Sequence, residues 1–368
     1  MRVCAIVLAA GLSTRLPRFK PLLPLEGRSM VARAGALFHA AGVTDVYAVT
    51  GRRAEEVAAE ARANAMTPVF NDRYESGMFS SVLAGLNALP DCADAVFVLP
   101  VDIPLVRPST VRALIERAEP AITHATLLEP MFRGEAGHPP LLLAPAIARA
   151  KTWPGEGGLA GALNGLPRLG VPVADAQILF DVDDDTAYGE ACRRAGQAGV
   201  PTVEEALALL DIHHAGERGH GHGRGVAIAA LSIARTLNAA GYALDLRLVE
   251  TAALLHDVAK GKRLHEEAGA AILRAEGFPL LADIVAAHRD IAPQDAPRIT
   301  EREVVYLADK VVRGSQRVSL RQRFEEKLAI FADDAQACGA IRRRLCNALD
   351  MARRIEEAAG LPLPQILS

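Results

Sequence analysis

Apolar residues follow two different periods along this chain, and the change of period limits what it can fold into. Up to about residue 190, short continuous apolar runs alternate with amphipathic stretches. VCAIVLAA (3–10), DVYAVT (45–50), TPVF (67–70) and DAVFVLP (94–100) read as strands. Their apolar residues are consecutive instead of alternating, as in strands covered by helices on both faces. ATLL (125–128), HPPLLL (138–143) and QILFDVD (177–183) extend the strand set. SMVARAGALFHAAG, RAEEVAAEARANA and SSVLAGLNALP read as the intervening helices, and this alternation predicts a mostly parallel, Rossmann-like α/β sheet.

From about residue 203 the spacing becomes three and four. VEEALALL, GVAIAALSIARTLNAAG, RLVETAALLHDVAKG, HEEAGAAILRAEG, LLADIVAAHRD and EREVVYLADKVVRG are separated mostly by glycine or proline, which predicts an all-helical domain. The boundary falls in RRAGQAGVPT, giving domains of residues 1–196 and 203–368. Histidine follows the same division. His39, His124 and His138 are the only ones in the first 200 residues, and seven of the ten lie between 213 and 288. Two chemistries in two domains are expected.

A formal charge of −3 gives no electrostatic reason to expect nucleic acid or a membrane surface as partner. The five cysteines are odd in number and scattered without a CxxC pair, which argues for a reducing compartment. The chain starts on a strand without a signal-peptide layout, and no apolar stretch is long enough to span a bilayer. A cytoplasmic protein is expected.

LAAGLSTRLPRFKPLLPLEG (8–27) follows the first strand. Gly11 can turn the chain without Cβ interference, and outward backbone N–H groups in such a turn suit an anion. Arg15 offers a planar fork for phosphate oxygens and Lys20 a mobile point charge. On composition alone, an ordinary turn with two solvated cations explains the segment equally well, since one glycine is far weaker than a full phosphate loop.

The segment resembles the opening of the nucleotidyltransferases that make molybdenum cofactor dinucleotides, whose usual form is LAAGxSxRMGxxKxLLPxxG. The resemblance implies a turn (Leu8, Ala9, Ala10 and Gly11) that wraps a triphosphate neutralised by Arg15 and Lys20. Pro17 stands where that family has glycine, and a proline removes one backbone donor. NDRYESGMFSSVLAGL is similar to the family segment that brings Gly77, Ser80 and Ser81 to the nucleotide. FVLPVDIPLV resembles its metal-binding strand end at Asp102, and GHP (137–139) and FDVDDD (180–185) match later signatures.

Nucleotidyl transfer joins two anions, so a divalent cation must offset their repulsion. Mg²⁺ prefers one or two carboxylates plus substrate phosphates, and Asp102 sits at a strand's C-terminal end, where open α/β sheets bind ligands. Asp183 is the expected second ligand, with Asp181 its close competitor. A loop-capping Asp102 and a solvated acidic turn are the plainer alternatives. LAAG in place of LAGG, with Leu12 and Ser13, looks more like the cytidine-specific members. The resemblance thus implies CTP and molybdopterin as substrates and a molybdoenzyme that receives the product. A sugar phosphate or phospholactate is the alternative acceptor. A nucleotide-sensing regulator with a non-catalytic second domain is the alternative from another class.

In the second half, adjacent His256 and Asp257 fall within an apolar helical run, where burying them is costly unless they are paired or bound to metal. With His222 and Asp309 they form an H…HD…D series that resembles the HD phosphohydrolase superfamily over roughly residues 205–330. Imidazole and carboxylate ligands suit Mn, Fe or Zn more than Ca. The resemblance places His265 and His288 as ligands of a second metal and Lys260 facing phosphate, with a solvated helix-end lysine as its alternative. His213, His214 and His220 are expected as solvated loop residues. A metal held this way makes hydroxide available near neutral pH, so this domain looks hydrolytic.

Overall fold

A computed structural model describes residues 1–11, 18–121, 124–291 and 298–368. The chain forms two compact units, Met1–Ala198 and Gly199–Ser368.

The first unit is built on an eight-stranded sheet. Its strands are β1 (Val3–Leu8), β4 (Asp45–Thr50), β5 (Thr67–Phe70), β6 (Ala95–Pro100), β7 (Leu127–Phe132), β8 (Glu135–Ala136), β9 (Leu141–Leu143) and β10 (Arg168–Pro172), while β2 (Pro24–Leu25) and β3 (Arg28–Ser29) make a separate hairpin. The order is β10-β7-β9-β6-β1-β4-β5, with β8 on β7. β5, β4, β1 and β6 run parallel, β10 runs parallel to β7, and β9 is antiparallel to both of its neighbours. Residues 4–8 of β1 are buried throughout, as a strand covered on both faces requires. The helix Met30–Ala40 starts where the Ser29 hydroxyl accepts from Ala32 N–H, and it buries Val31, Leu37 and Phe38.

One expected strand is absent. In 177–183, residues Ala176–Leu179 form a 3₁₀ turn and the rest is irregular. The cause is Asp175, only 1% exposed, whose carboxylate accepts from Gln177 N–H, Arg107 N–H and the Thr110 hydroxyl and so starts a turn where a strand would begin. The strand added instead is β10, RLGVP. Its Gly170 and Pro172 argue against a strand, but both are tolerated on an edge, and a Cβ at Gly170 would lie 2.9 Å from Met131 Cγ.

The second unit is helical: Val203–Ile212, Gly216–Ala239, Leu246–Leu255, His265–Ala275, Pro279–Ala287, Glu301–Lys310, Leu320–Ile330, Ala335–Ala359 and Leu363–Ile366, with one short hairpin at Val312–Arg313 and Gln316–Arg317. Local sequence sets the helix starts. Thr202 with Glu205, and Thr300 with Glu303, form capping boxes, and Asp245 accepts from Arg247 and Leu248 N–H. No helix among the described residues is long and apolar enough to cross a membrane.

Gly223 sets the approach of two helices. A Cβ there would lie 2.7 Å from Leu254 O, so only glycine lets Gly216–Ala239 pack this closely on Leu246–Leu255. His222 and His256 sit at this contact. Gly223→Ala should therefore destabilise the chain by about 1–3 kcal/mol, the usual cost of overpacking, and weaken its hold on metal. A melting curve with metal content checks both, and an unchanged variant would mean the contact is loose.

Candidate functional sites

In the first unit, β1 and β6 are parallel neighbours with Leu8 opposite Pro100, and Val101 N–H donates to Leu8 O at 3.2 Å. The turn after β1 and the loop after β6 therefore leave the same sheet edge together, which brings Gly11 and Asp102 to one cavity of about 380 Å³. Leu8, Ala10, Lys20, Gly77, Ser81 and Asp183 also line it. Lys20 Nζ lies 2.9 Å from Asp183 Oδ1 and 3.6 Å from Asp102 Oδ2. Val182 N–H donates to Asp102 O at 2.8 Å, which ties the acidic segment to the strand end. Burial pushes the Asp102 carboxyl up, against the pull of Lys20. The two carboxylates offer oxygen donors of the kind Mg²⁺ prefers, and the Lys20 ammonium stands beside them as a cation for phosphate.

The acidic run divides its labour. Asp183 faces Lys20, Asp184 caps the helix Asp185–Gly196 through Ala187 N–H, and Asp185 pairs with Arg18 at 2.8 Å. Asp181 is exposed and is not among the cavity residues. Ala9 is buried, with its N–H donated to Val49 O. Arg15, Leu12, Ser13 and Pro17 lie outside the described residues.

Gly77, at φ 102°, opens the helix Met78–Asn87 toward the cavity in a conformation that favours glycine. Ser80 turns its hydroxyl to Arg73 O and Gly77 O, and Ser81 lines the cavity. Asn71 was not anticipated. It is 4% exposed, its amide donates to both serine hydroxyls at 2.9 and 3.0 Å, and its carbonyl accepts from Arg73 N–H. Its signal was local: Asn two residues before a backbone donor is an Asx turn.

A second cavity of about 440 Å³ shares Leu8, Met78 and Pro100 with the first. Its walls include Phe79, Val82, Val98 and Leu163, and Glu129, His138 and Arg168 supply its polar groups. Burial pushes the His138 imidazole down, against the pull of Asp102.

The second unit gathers its histidines. His256 Nε2 lies 3.5 Å from Asp257 Oδ2 and 3.7 Å from Asp309 Oδ1, and His222 Nε2 lies 3.9 and 3.3 Å from the same two oxygens. The other Asp257 oxygen faces His265 Nε2 at 3.5 Å and His288 Nε2 at 3.7 Å. Asp257 thus stands between two groups able to hold an ion, His222–His256–Asp257 and Asp257–His265–His288. The tautomers are fixed from behind. Nδ1 of His222, His256 and His288 donates to the carbonyls of Gly314, Ala253 and Val285, leaving each Nε2 lone pair for the cluster.

His256 Nε2 is buried and has no hydrogen-bond partner among the described residues. An orphaned buried nitrogen is costly, and a metal ion among these carboxylates is the partner that fits it. Burial pushes the His256 imidazole down to about 4, which keeps it neutral as a ligand must be. Burial works against the charge on Asp257 and Asp309. Their cationic neighbours, with His288 and His256 for the first and Lys310 and His222 for the second, outweigh it and hold both carboxyls well below the usual range.

Two expectations about this unit are corrected. His256 and Asp257 do not lie in mid-helix: the helix ends at Leu255, and the chain turns so that the pair faces the cluster from its C-terminal end. Of the three histidines expected as solvated loop residues, His214 is an exposed turn residue, whereas His213 is half-buried in the turn and His220 is not in a loop. His213 and His214 line a cavity of about 580 Å³, and His220 is helical, with Nε2 2.8 Å from Asp211. Lys260 Nζ lies 2.5 Å from Asp257 Oδ2.

Comparison with known proteins finds one family match within each unit. The MobA-like NTP transferase domain matches residues 5–169, and the HD domain matches 219–314. Nicotine blue oxidoreductase of Paenarthrobacter nicotinovorans is 33% identical over 216 residues, 56% of this chain and 96% of that protein. The bifunctional protein GlmU of Xanthobacter autotrophicus is 41% identical over 114 residues, 30% of this chain and 25% of that protein, so the chain spans only a quarter of it. Among solved structures, a nucleotidyl transferase from Methanothermobacter thermautotroptrophicus aligns over 53% of this chain and 98% of its own, with TM-score 0.47 and 24% identity. Molybdopterin-guanine dinucleotide biosynthesis protein A from Archaeoglobus fulgidus aligns over 52% and 98%, with TM-score 0.41 and 16% identity. The chain belongs to the MobA-like NTP transferase family and carries an HD domain after its transferase domain.

Proposed function

We propose that the first unit transfers CMP from CTP to the phosphate of molybdopterin, releasing pyrophosphate, and that the second hydrolyses a phosphoester with a metal centre. The convergence of Lys20, Asp102 and Asp183 on one cavity at the C-terminal edge of a parallel sheet carries the first half. An acceptor phosphate oxygen bonds to the α-phosphorus as the α–β bridging bond breaks, and its electron pair leaves on pyrophosphate. Lys20 and Arg15 hold the triphosphate, Gly11 and Gly77 admit it close to backbone N–H groups, Ser81 shapes the wall, and Ser80 braces the Gly77 turn behind it. Asp102 and Asp183 would hold Mg²⁺, which supplies charge neutralisation when bound. No covalent intermediate is needed, since positioning carries an in-line transfer. The adjoining cavity, with Glu129, His138 and Arg168, is a fitting place for the acceptor.

In the second unit, His222, His256, Asp257 and Asp309 would hold one transition metal such as Mn, Fe or Zn, and Asp257, His265 and His288 a second. The metal centre supplies hydroxide at neutral pH when loaded. Lys260 is placed to leave Asp257 and meet substrate phosphate once metal takes the carboxylate. We place the protein in the cytoplasm and its product with a molybdoenzyme.

Incubating the protein with Mg²⁺, molybdopterin and each of the four triphosphates, with mass identification of the product, tests base, acceptor and reaction together. We expect CTP to exceed GTP at least tenfold in kcat/KM, about 1.4 kcal/mol of differential transition-state binding. Equal rates would remove the cytidine assignment and leave the transfer intact. The name of the Paenarthrobacter relative favours one other reading, a redox reaction on the same fold. The paired carboxylates answer a need of nucleotidyl transfer that hydride transfer does not have. Oxidation of a nicotinamide cofactor without pyrophosphate release would decide for the redox reading, and nucleotide binding with neither would decide for a regulator.

A further inference from the structure

Two cavities meet at the histidine–aspartate cluster, and they differ in character. The larger, about 580 Å³, has an apolar wall of Leu210, Leu254, Val312 and Ile330. The smaller, about 270 Å³, is lined by six cations, Lys260, Arg289, Lys310, Arg323, Lys327 and Arg344, against the carboxylates of Asp257 and Asp309. His222, Asp257, Lys260, Arg323 and Lys327 line both.

Four of the six cations are committed. Arg289 pairs with Glu266 at 2.9 Å, Lys310 with Asp309 at 2.7 Å, and Lys260 with Asp257 at 2.5 Å. Arg323 donates to the carbonyls of Asp309 and Val312 and faces Asp309 Oδ1 at 3.4 Å. Two remain. Lys327 has no carboxylate within 4.0 Å among the described residues, and Arg344 Nε is buried without a hydrogen bond, its nearest carboxylate oxygen 3.6 Å away on Asp290. Metal ions at the cluster would add positive charge. An anion in this open cavity would join cations that otherwise repel one another, and Lys327 and Arg344 offer it charge beyond the groups already paired at the cluster.

We propose that this site takes an organic diphosphate. The inner phosphoryl lies at the His222–Asp257 cluster, the outer one sits in the small cavity on Lys327 and Arg344, and the organic remainder lies in the larger cavity. The oxygen of a water molecule bonds to the inner phosphorus and the bridging P–O bond breaks. Its electron pair leaves on the outer phosphate, and the water's protons pass to that phosphate and to solvent. The products are an organic monophosphate and inorganic phosphate. The inference rests on the hydrolase reading of this unit. The transfer proposed for the first unit is a reaction class that generates such phosphoanhydrides.

The test uses the full chain loaded with Mn²⁺. Every sample carries Lys20→Gln, so that diphosphonate held at the first unit does not mask the second. Calorimetry should find methylenediphosphonate bound at least tenfold more tightly than inorganic phosphate. Lys327→Gln with Arg344→Gln should bring the two within twofold at unchanged Mn²⁺ content, Lys327→Arg should keep the preference, and CDP but not CMP should release phosphate. Lys327→Gln alone, on an exposed helix face, serves if the double variant does not fold. Equal binding in the parent, or a preference that survives both Gln variants, overturns the diphosphate assignment. If that chain still holds Mn²⁺ and cleaves bis(p-nitrophenyl) phosphate, the hydrolase reading stands without it. A chain that holds no Mn²⁺ and cleaves no ester overturns both.

Discussion

Asp102→Ala should lower CTP-dependent transfer at least a thousand-fold, about 4 kcal/mol at 1.36 kcal/mol per decade, while the chain remains folded. Asp102 sits just past β6, its side chain 26% exposed, and its carboxylate faces Lys20 instead of the apolar interior. Burial already disfavours its charge, so the fold gains little from it. In the transition state the position changes in value. Negative charge gathers on the transferring phosphoryl, and a carboxylate that fixes the neutralising cation acts where that charge develops. Lys20 would keep Asp183 as partner in the variant, which leaves no orphaned ammonium to unfold the turn. Pyrophosphate release measured beside a melting curve checks the claim. Unchanged kinetics in a normally folded variant would remove Asp102 from the reaction.

Asp102 could be read from sequence because the signals for it are local: a continuous apolar run, its end, and a carboxylate just beyond. The helical half was legible for the same reason, since periodicity and capping residues mark each helix. What stayed hidden depends on contacts across long separations. The choice of Asp183 over Asp181 as Lys20's neighbour reflects where the loop lands after Val182 N–H meets Asp102 O, and no local pattern encodes that. QILFDVD has the composition of a strand but is turned by Asp175, whose partners Arg107 and Thr110 lie 68 and 65 residues away. RLGVP is a strand only because an edge tolerates glycine and proline. The histidine series was legible as a set of residue types. Its division into two groups on either side of Asp257 was not, because it depends on which carboxylate oxygen each imidazole faces.

His256→Ala combined with Asp257→Ala should abolish both metal content and phosphoester hydrolysis, while CTP-dependent transfer persists. Asp257 is the one residue common to both candidate metal groups, so its loss removes a ligand from each at once. His256 is 1% exposed and packs with its ring 5.0 Å from that of His222 and 5.2 Å from that of His288, so its loss opens the cluster at its buried end. Metal affinity of a site is lost steeply with its ligands, because the remaining donors must hold the ion at open positions filled by water. The double variant is also the gentler one for the fold. Asp257→Ala alone would leave His256 Nε2 buried with one fewer anion near it, whereas the double variant removes that orphaned nitrogen as well. Lys260 would lose its 2.5 Å partner but is mostly exposed and can turn to water. Elemental analysis after metal-replete, reducing purification is the decisive measurement. Metal retained in the double variant would place the centre elsewhere, and a wild-type chain without metal would replace the hydrolase reading of this unit with a nucleotide-sensing one.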